Sequence, residues 1–582
     1  MSSSRKLVVG IDFGTTFSGV SWLFHNGMKA PANPEVITRW LSTHARNSDR
    51  VKVPTKLYYD KHTKNVSWGY NIPEGEPIQW FKLLLLNDED LSAHLQGSAH
   101  IRKARTMLEE LGKDATQVTA DYLKQLWQHT MKAMEKAKGP SLIKATPIHV
   151  VLTVPAIYQD YGRERMRRAA ELAGILDKRP LCEDTTLSFV TEPESAIMAT
   201  LPELDYRGDL KPDDTFVLCD CGGGTVDIIS YMVVQTSPLV IRECVEGDGA
   251  LCGATFLDQD FQLFMKKKFP GGSKAWDKAE PVAISKFLNS EWEHGIKCDF
   301  DGSDRTWILD LPKRSKRGQL EVTSSEIRGV FSNVTTRIKG LVGNQVQAIQ
   351  KKTSKNPKKF VILAGGFGRC PFIYASLREQ YQGVTEVLQS EGERPWSAIC
   401  RGAAMYGALG HGLTDEGVRV QSRVSRLSYG WKYNTRFVPG KHLIQDKFWD
   451  ERDGRYNAKN QMQWAIKRGD NVATSHATAF PYHVTYSLRE TGERIHNKAI
   501  YTSTKSDPAS RFGSGYEIPL LTTVKWELPV RVEELPVDRR HHKDHRRFNF
   551  EIQMEVSGAS LGLRIVADGK VLGAKSLQVK TD

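Results

Sequence analysis

Val8-Val9-Gly10-Ile11-Asp12-Phe13-Gly14-Thr15-Thr16-Phe17-Ser18-Gly19 is a short apolar run that stops on an acidic residue and turns through Gly-Thr-Thr. Such a turn exposes backbone amides and two hydroxyls, a concavity suited to phosphate oxygens, with Asp12 placed to hold a hydrated Mg²⁺. Alone, the stretch is equally compatible with an ordinary tight turn. The same logic returns 208 residues later in Phe216-Val217-Leu218-Cys219-Asp220-Cys221-Gly222-Gly223-Gly224-Thr225-Val226-Asp227. Three consecutive glycines strip every Cβ from one turn at a cost in unfolded-chain entropy, so a close backbone approach to a ligand explains them better than a mere connector. Two acidic strand–turn units suit one phosphate chain and one metal clamped between two similar lobes.

A third glycine cluster, Phe360-Val361-Ile362-Leu363-Ala364-Gly365-Gly366-Phe367-Gly368-Arg369-Cys370-Pro371, again follows a strand and precedes a helix. Gly366 and Gly368 could begin a dinucleotide fingerprint with Glu386 as the ribose acid, but Pro371 stands at its third glycine and the two earlier turns stay unexplained. None of the three clusters has the G-x-x-x-x-G-K-[ST] spacing of a P-loop.

Outward from these motifs, β-branched runs alternate with helical stretches to about residue 410, which predicts an α/β region. Strands are expected at 7–11, 149–154, 215–219 and 360–363, and helices at 160–173, 192–201 and 324–351. Thr323 and Glu326 form a capping-box signature ahead of the last of these. Residues 36–112 are irregular, with Trp40, Trp68 and Trp80 in polar company, and suggest an inserted subdomain. The reading divides the chain into a first region at 1–412, a polar linker at 413–423 and a β-rich domain at 424–582. Lobe I takes about 1–205 and lobe II about 213–392, with a helix at 396–411 returning to lobe I. In the last domain, strands are expected at 499–502, 548–556, 561–566 and 576–579, and Trp431, Tyr433, Trp449 and Trp464 are expected to build its core.

Composition sets outer bounds. At 582 residues the chain is too long for one core, and 40% hydrophobic with 26% charged residues excludes wholesale disorder. The net charge of +13 is spread over a large surface, so nucleic acid is not the expected partner. Eight scattered cysteines do not resemble a secreted disulfide framework. The first six residues lack the apolar core of a signal peptide and no membrane-spanning run occurs, which points to the cytoplasm or nucleus without membrane insertion. Arg539-Arg540-His541-His542-Lys543-Asp544-His545-Arg546-Arg547 is the most unusual local composition, with metal or polyanion binding open beside a solvated loop.

In order and spacing, the three glycine motifs resemble the phosphate 1, phosphate 2 and adenosine motifs of the actin-like ATPase superfamily, and within it a divergent member of the 70-kDa heat-shock protein family. Leu152-Thr153-Val154-Pro155-Ala156, Thr191-Glu192-Pro193-Glu194-Ser195-Ala196 and Arg401-Gly402-Ala403-Ala404-Met405-Tyr406-Gly407-Ala408 agree with that family. The resemblance covers roughly residues 6–412. It implies a two-lobed actin-like ATPase fold of duplicated mixed sheets with flanking helices, followed here by the β-rich C-terminal domain. It further implies ATP or ADP with Mg²⁺ as cofactors, Asp12 and Asp220 flanking the hydrated metal. Gly14, Thr15, Thr16 and Phe17 would line one phosphate turn and Gly222, Gly223, Gly224 and Thr225 the other. Lys82 would sit beside the attacking water and Glu192 would orient it, so that Lys82, Glu192, Asp220, Thr225 and Asp12 carry the chemistry. Gly253 occupies a related glycine turn, while Gly365, Gly366 and Arg369 would meet the adenosine, with Glu293 and Lys297 touching ribose or base. Pro155 and Arg163 match a pair that couples nucleotide state to the second domain.

The match fails in places. Phe367 stands where a small hydroxyl residue is usual, Trp396 replaces an acidic residue near the sugar, and Cys252 replaces a glycine. The C-terminal region lacks the family's apolar linker and charged helical lid, so client or co-chaperone binding through 424–582 is an expectation without a mapped peptide groove. The reading of function is a slow ATP-hydrolysing, chaperone-like switch. A nucleotide-binding scaffold without turnover stands as the alternative, and a sugar kinase of the same superfamily is more remote.

Overall fold

The computed structural model describes residues 5–28, 33–42, 50–60, 62–63, 65–73, 75–91, 96–156, 158, 160–204, 210–312, 318–354, 360–474, 477–513, 518–539, 543–557 and 560–578. It divides into two compact units, Met1–Arg419 and Val420–Asp582.

In the first unit, β1 (Lys6–Asp12) pairs antiparallel with β2 (Phe17–His25) and parallel with β3 (Ile148–Val154), which runs parallel to β4 (Thr186–Thr191). A second sheet repeats this plan. There β5 (Thr215–Cys221) pairs antiparallel with β6 (Val226–Thr236), which continues into β7 (Leu239–Ala250), and parallel with β8 (Phe360–Ala364), itself parallel to β9 (Glu386–Gln389). β1 and β5 are almost wholly buried, as strands flanked on both edges and covered on both faces must be. The duplication puts Asp12 and Asp220 at matching places: each ends or nearly ends the central strand of its sheet, opposite Gly19 and Asp227 on the hairpin partner.

The helices that bear on the site are α1 (Ala115–Lys138), α2 (Asp160–Leu172), α3 (Glu192–Leu204), α4 (Ala254–Lys268), α5 (Ser324–Thr353) and α6 (Arg394–Gly410). The Thr323–Glu326 capping box is present at the start of α5. Helix α6 crosses α3 so closely that a Cβ on Gly402 would fall 1.6 Å from the Ser195 carbonyl oxygen. Only glycine allows that approach. In the irregular stretch, a small sheet of Lys56–Tyr59, Val66–Trp68 and Ile78–Gln79 forms. Trp40 and Trp68 are buried edge to face and both meet His129 of α1, so these tryptophans make a core of their own.

The second unit is a β-sandwich. One sheet orders β11-β12-β10-β14-β15, where β10 is Ser428–Arg436, β11 Lys447–Asp450, β12 Arg455–Ile466, β14 Ile495–Ser503 and β15 Leu520–Glu527. The other runs β13 (Thr478–Ser487), β16 (His545–Ser557), β17 (Ser560–Ala567) and β18 (Lys570–Gln578). Their inner faces share one core that includes Trp431, Ile500, Trp526, Phe550 and Leu563. No α-helix is found among the described residues of this unit. Three expectations need correction. Trp464 is half-buried and stays out of that core, its ring on the Gly430 side of the sheet and its indole nitrogen donating to the Ala509 carbonyl oxygen at 2.9 Å. Trp449 is 50% exposed, packed edge to face on Tyr456 across the edge strand β11 instead of entering the core. Ser422–Val424, at the end of the expected linker, is a strand paired with Asn471–Ala473; three residues without apolar alternation give no strand signal in sequence. Arg540, His541, His542 and Val579 lie outside the described residues. His545 faces its own backbone, its Nδ1 3.1 Å from the Lys543 carbonyl oxygen, and no cluster of three metal-ligating side chains occurs among the described residues.

Lys498 on β14 is a cost built into this sandwich. Its ammonium lies 3.7 Å from the Tyr482 ring centre and 5.6 Å from that of Trp431, and no carboxylate among the described residues pairs with it. Burial pushes the lysine down to about 7 from an ordinary 10.5. The unfolded chain therefore binds the extra proton between these values, so the penalty is full below about pH 7 and fades as pH rises toward 10.5. In calorimetric scans of the intact chain, Lys498→Met is expected to raise the melting temperature of this unit at neutral pH, with the advantage shrinking in alkaline buffer. An advantage that grows with pH would contradict the assignment.

Candidate functional site

Asp12, Asp220, Asp227 and Glu192 are all nearly inaccessible to solvent. Asp12 comes from the end of β1, Asp220 and Asp227 from β5 and β6, and Glu192 from the first turn of α3, where the helix dipole favours an anion. Burial drives the Glu192 carboxyl upward, with Lys82 opposing. Burial, then Glu192, Asp227 and Asp12, drive Asp220 well above the carboxylate range. Asp227 is pushed up to about 7 by burial and by Glu192. Four carboxyl groups thus crowd one enclosed site, and Asp220 Oδ1 and Asp227 Oδ2 have no hydrogen-bond partner. An orphaned buried oxygen costs free energy unless a cation or donor joins it.

Lys82 is 2% exposed, so it is no surface lysine; its ammonium donates to Glu192 Oε1 at 2.7 Å and lies 5.6 Å from the Phe13 ring centre. Tyr158 Oη holds the Lys82 carbonyl at 2.8 Å. Two participants had no role assigned from sequence. Asp227 accepts from the Ala156 amide at 3.1 Å, tying β6 to the turn after β3. Its only sequence signal is the Thr225-Val226-Asp227 spacing on the returning strand. The other is Lys52, buried, whose ammonium donates to Asp12 Oδ2. Burial alone would lower it, but the Asp12 carboxylate, with Cys400 and Asp220 beside it, raises it on balance. A charged residue between Val51 and Val53-Pro54 was its only signal.

The two glycine turns face each other. A Cβ on Gly223 would lie 2.1 Å from Thr16 Oγ1, and one on Gly224 2.8 Å from Thr15 Oγ1. At the start of α4, the amides of Gly253, Ala254 and Thr255 donate to the carbonyls of Gly224, Gly222 and Gly223 at 3.2, 3.1 and 2.9 Å. That capping turns the glycine carbonyls away. The amides of Gly223 and Gly224, and of Thr15 and Thr16 opposite, meet no acceptor among the described residues. Four unsatisfied N–H groups and two hydroxyls on two facing turns suit anionic oxygens. A Cβ on Gly14 would strike the Phe17 carbonyl oxygen at 2.2 Å, which fixes the shape of the first turn. The residues present therefore fit a phosphate chain. For Mg²⁺ the fit is divided: Asp220 offers a bare oxygen, while Asp12 is already engaged by an ammonium.

The third turn joins this site at Gly365, whose φ of +80° excludes most side chains and whose Cβ would lie 2.4 Å from Asp220 Oδ1. Gly366 packs under Trp396, with 2.9 Å from its would-be Cβ to the indole nitrogen. Arg369 is drawn to Glu393 at 3.2 Å and stands over the Trp396 ring at 5.3 Å, while Phe17 meets the same ring edge-on at 5.4 Å. The arginine expected to meet the adenosine thus rests on an indole. Phe367 is buried. Glu293 and Lys297 form the i, i+4 pair at 2.7 Å, and Lys297 also holds Asp258 at 2.8 Å. Cys370 Sγ, 3.5 Å from the Lys297 carbonyl oxygen, ties this ion triad to the third turn. Arg163 is fully buried in α2, and the Pro155 carbonyl accepts from the Tyr158 amide at 3.2 Å.

Comparison with known proteins bears on the family and the fold. Residues 93–441 match the family described as Hsp70 protein, and residues 423–575 match a domain of unknown function, DUF8568. Heat shock 70 kDa protein 12A of Homo sapiens is 22% identical over 532 residues, covering 75% of this chain and 74% of the relative. Heat shock 70 kDa protein 12B of Homo sapiens is 22% identical over 580 residues, covering 82% and 79%. Mitochondrial-type heat shock protein 70 of Encephalitozoon hellem is 23% identical over 446 residues, covering 73% and 66%. No helix among the described residues is long and apolar enough to cross a membrane. With duplicated sheets, two facing phosphate-type turns and a family match over more than half its length, the chain is a divergent member of the Hsp70 family, built on the actin-like ATPase fold.

Proposed function

We propose that the cleft between the two glycine turns binds ATP and hydrolyses it slowly, and that the nucleotide state governs what residues 424–582 bind. The observation that carries this reading is the set of acceptor-free amides of Thr15, Thr16, Gly223 and Gly224 on two turns that face each other. Phosphoryl transfer needs positioning and charge compensation more than covalent chemistry. Here the two turns hold the phosphate chain, Thr225 closes the second turn by accepting from the Gly222 amide through its carbonyl, and the Lys82 ammonium, fixed by Glu192, faces developing negative charge. Glu192, raised by burial, is suited to orient a water and accept part of its proton. Trp396, Phe17 and Arg369 make an aromatic and cationic wall on the nucleoside side. Protein clients or co-chaperone-like partners of the sandwich, and a cytoplasmic or nuclear site of action, belong to the same reading.

The test pairs tryptophan fluorescence with single-turnover hydrolysis on the intact chain. ATP is expected to change the fluorescence, Trp396→Phe to remove most of that change, and the bound ATP to convert to ADP within one slow phase. Binding without conversion would select the scaffold alternative. No binding would end the nucleotide reading.

A further inference from the structure

The structure assigns Lys52 as a resident counter-cation of the cleft: we propose that its ammonium occupies the metal's place at Asp12 and contacts the phosphate chain, so that nucleotide binds with little need of a divalent cation. The inference rests on the nucleotide reading above and sharpens it. Lys52 enters beside β2, where Val53–Pro54 pairs with Phe17 and Ser18, and Tyr70 Oη donates to its carbonyl at 3.1 Å. Its stem runs past Gly19, where a Cβ would lie 3.1 Å from Lys52 Cγ and 3.4 Å from its Cε. The missing side chain at position 19 is the slot through which the lysine reaches Asp12.

At its head, the ammonium has three N–H donors. Asp12 is its one hydrogen-bond partner among the described residues, which leaves donors for another anion in a site whose opposite wall is the amide nest. A divalent ion at Asp12 would have to displace that ammonium or sit against it, and like charges so close in a buried site repel strongly. Phosphate oxygens, by contrast, would gain a charge-assisted donor already held in place. The ligand class is thus a nucleoside di- or triphosphate in its metal-free form.

The test uses the intact chain with two independent readouts. Calorimetric titration with ADP is run in Mg²⁺ and in EDTA, and Mn²⁺ binding without nucleotide is followed by electron paramagnetic resonance, for wild type, Lys52→Met and Lys52→Gln. Wild-type affinity for ADP is expected to fall by no more than about threefold in EDTA, whereas the variants fall by about thirtyfold. Both variants should also bind Mn²⁺ at least about tenfold more tightly than wild type. A wild-type loss of about thirtyfold in EDTA would overturn the proposal without reference to any variant, as would Mn²⁺ binding by wild type equal to that of the variants. If wild type and variants alike bind no ADP in either buffer, the nucleotide reading fails, and the Mn²⁺ comparison alone still decides whether Lys52 holds the metal's place.

Discussion

Lys82→Ala is expected to abolish most hydrolysis and to destabilise the first unit, whereas removing both Lys82 and Glu192 restores stability without restoring hydrolysis. The pair is buried, with 2.7 Å between Nζ and Oε1. Truncating one partner strands the other in a site that already crowds carboxyl groups, a loss of about 3–5 kcal/mol for such pairs. Glu192 would relieve part of it by taking up a proton, toward which burial already drives it. Lys82→Met with Glu192→Leu removes both charges and keeps the volume, an exchange that is often neutral for buried pairs. Hydrolysis behaves differently, because loss of a charge aimed at the reacting phosphate costs about 10²–10³ in rate whatever the stability does. Single-turnover rates beside denaturant melts of wild type, Lys82→Ala and the double variant separate these effects. A double variant that regains hydrolysis along with stability would mean that the pair is only a structural element.

Gly402→Ala is expected to destabilise the first unit through packing alone. In an exposed helix this change gains up to about 1 kcal/mol, but here the new methyl would sit 1.6 Å from the Ser195 carbonyl oxygen, which no rotamer can relieve. Helices α3 and α6 must move apart, at a cost of about 3 kcal/mol or more by analogy with overpacked cores. Because α3 carries Glu192, hydrolysis should fall with it. Gly410, at the end of the same helix, has nothing within 4 Å of its would-be Cβ, so Gly410→Ala is the matched control and should be neutral or stabilising. Equal melting temperatures for the two variants would show that the helices do not cross this closely.

Much of the first unit was legible because buried parallel strands leave continuous apolar runs and glycine turns cannot be disguised. The central strands, the acid that follows each and the α5 capping box stand where the residues 7–11, 215–219 and 323–326 pointed. The strand ends run on to Asp12 and Cys221, since a strand's last residues take their conformation from the ladder and carry no pattern of their own. Within the site, Lys52 escaped notice because nothing near it in sequence advertises a partner forty residues away, and ion pairs between distant segments leave no periodicity. Trp449 misled for a related reason: an aromatic residue in a strand signals a sheet face, and only the tertiary fold says whether that face is covered. Lys297 shows the converse, an i, i+4 pair of the kind usually found on a surface, here buried by a third member, Asp258.

The central claim is that two turns, 208 residues apart in sequence, close on one phosphate chain. Hydrogen exchange of the intact chain with and without ADP reads both turns at once, since the amides of Thr15, Thr16, Gly223 and Gly224 have no acceptor in the described structure. The account predicts that ADP slows exchange in both turns together, with adenosine alone leaving them unchanged. Protection of one turn without the other, or of neither while ADP binds elsewhere, would contradict it.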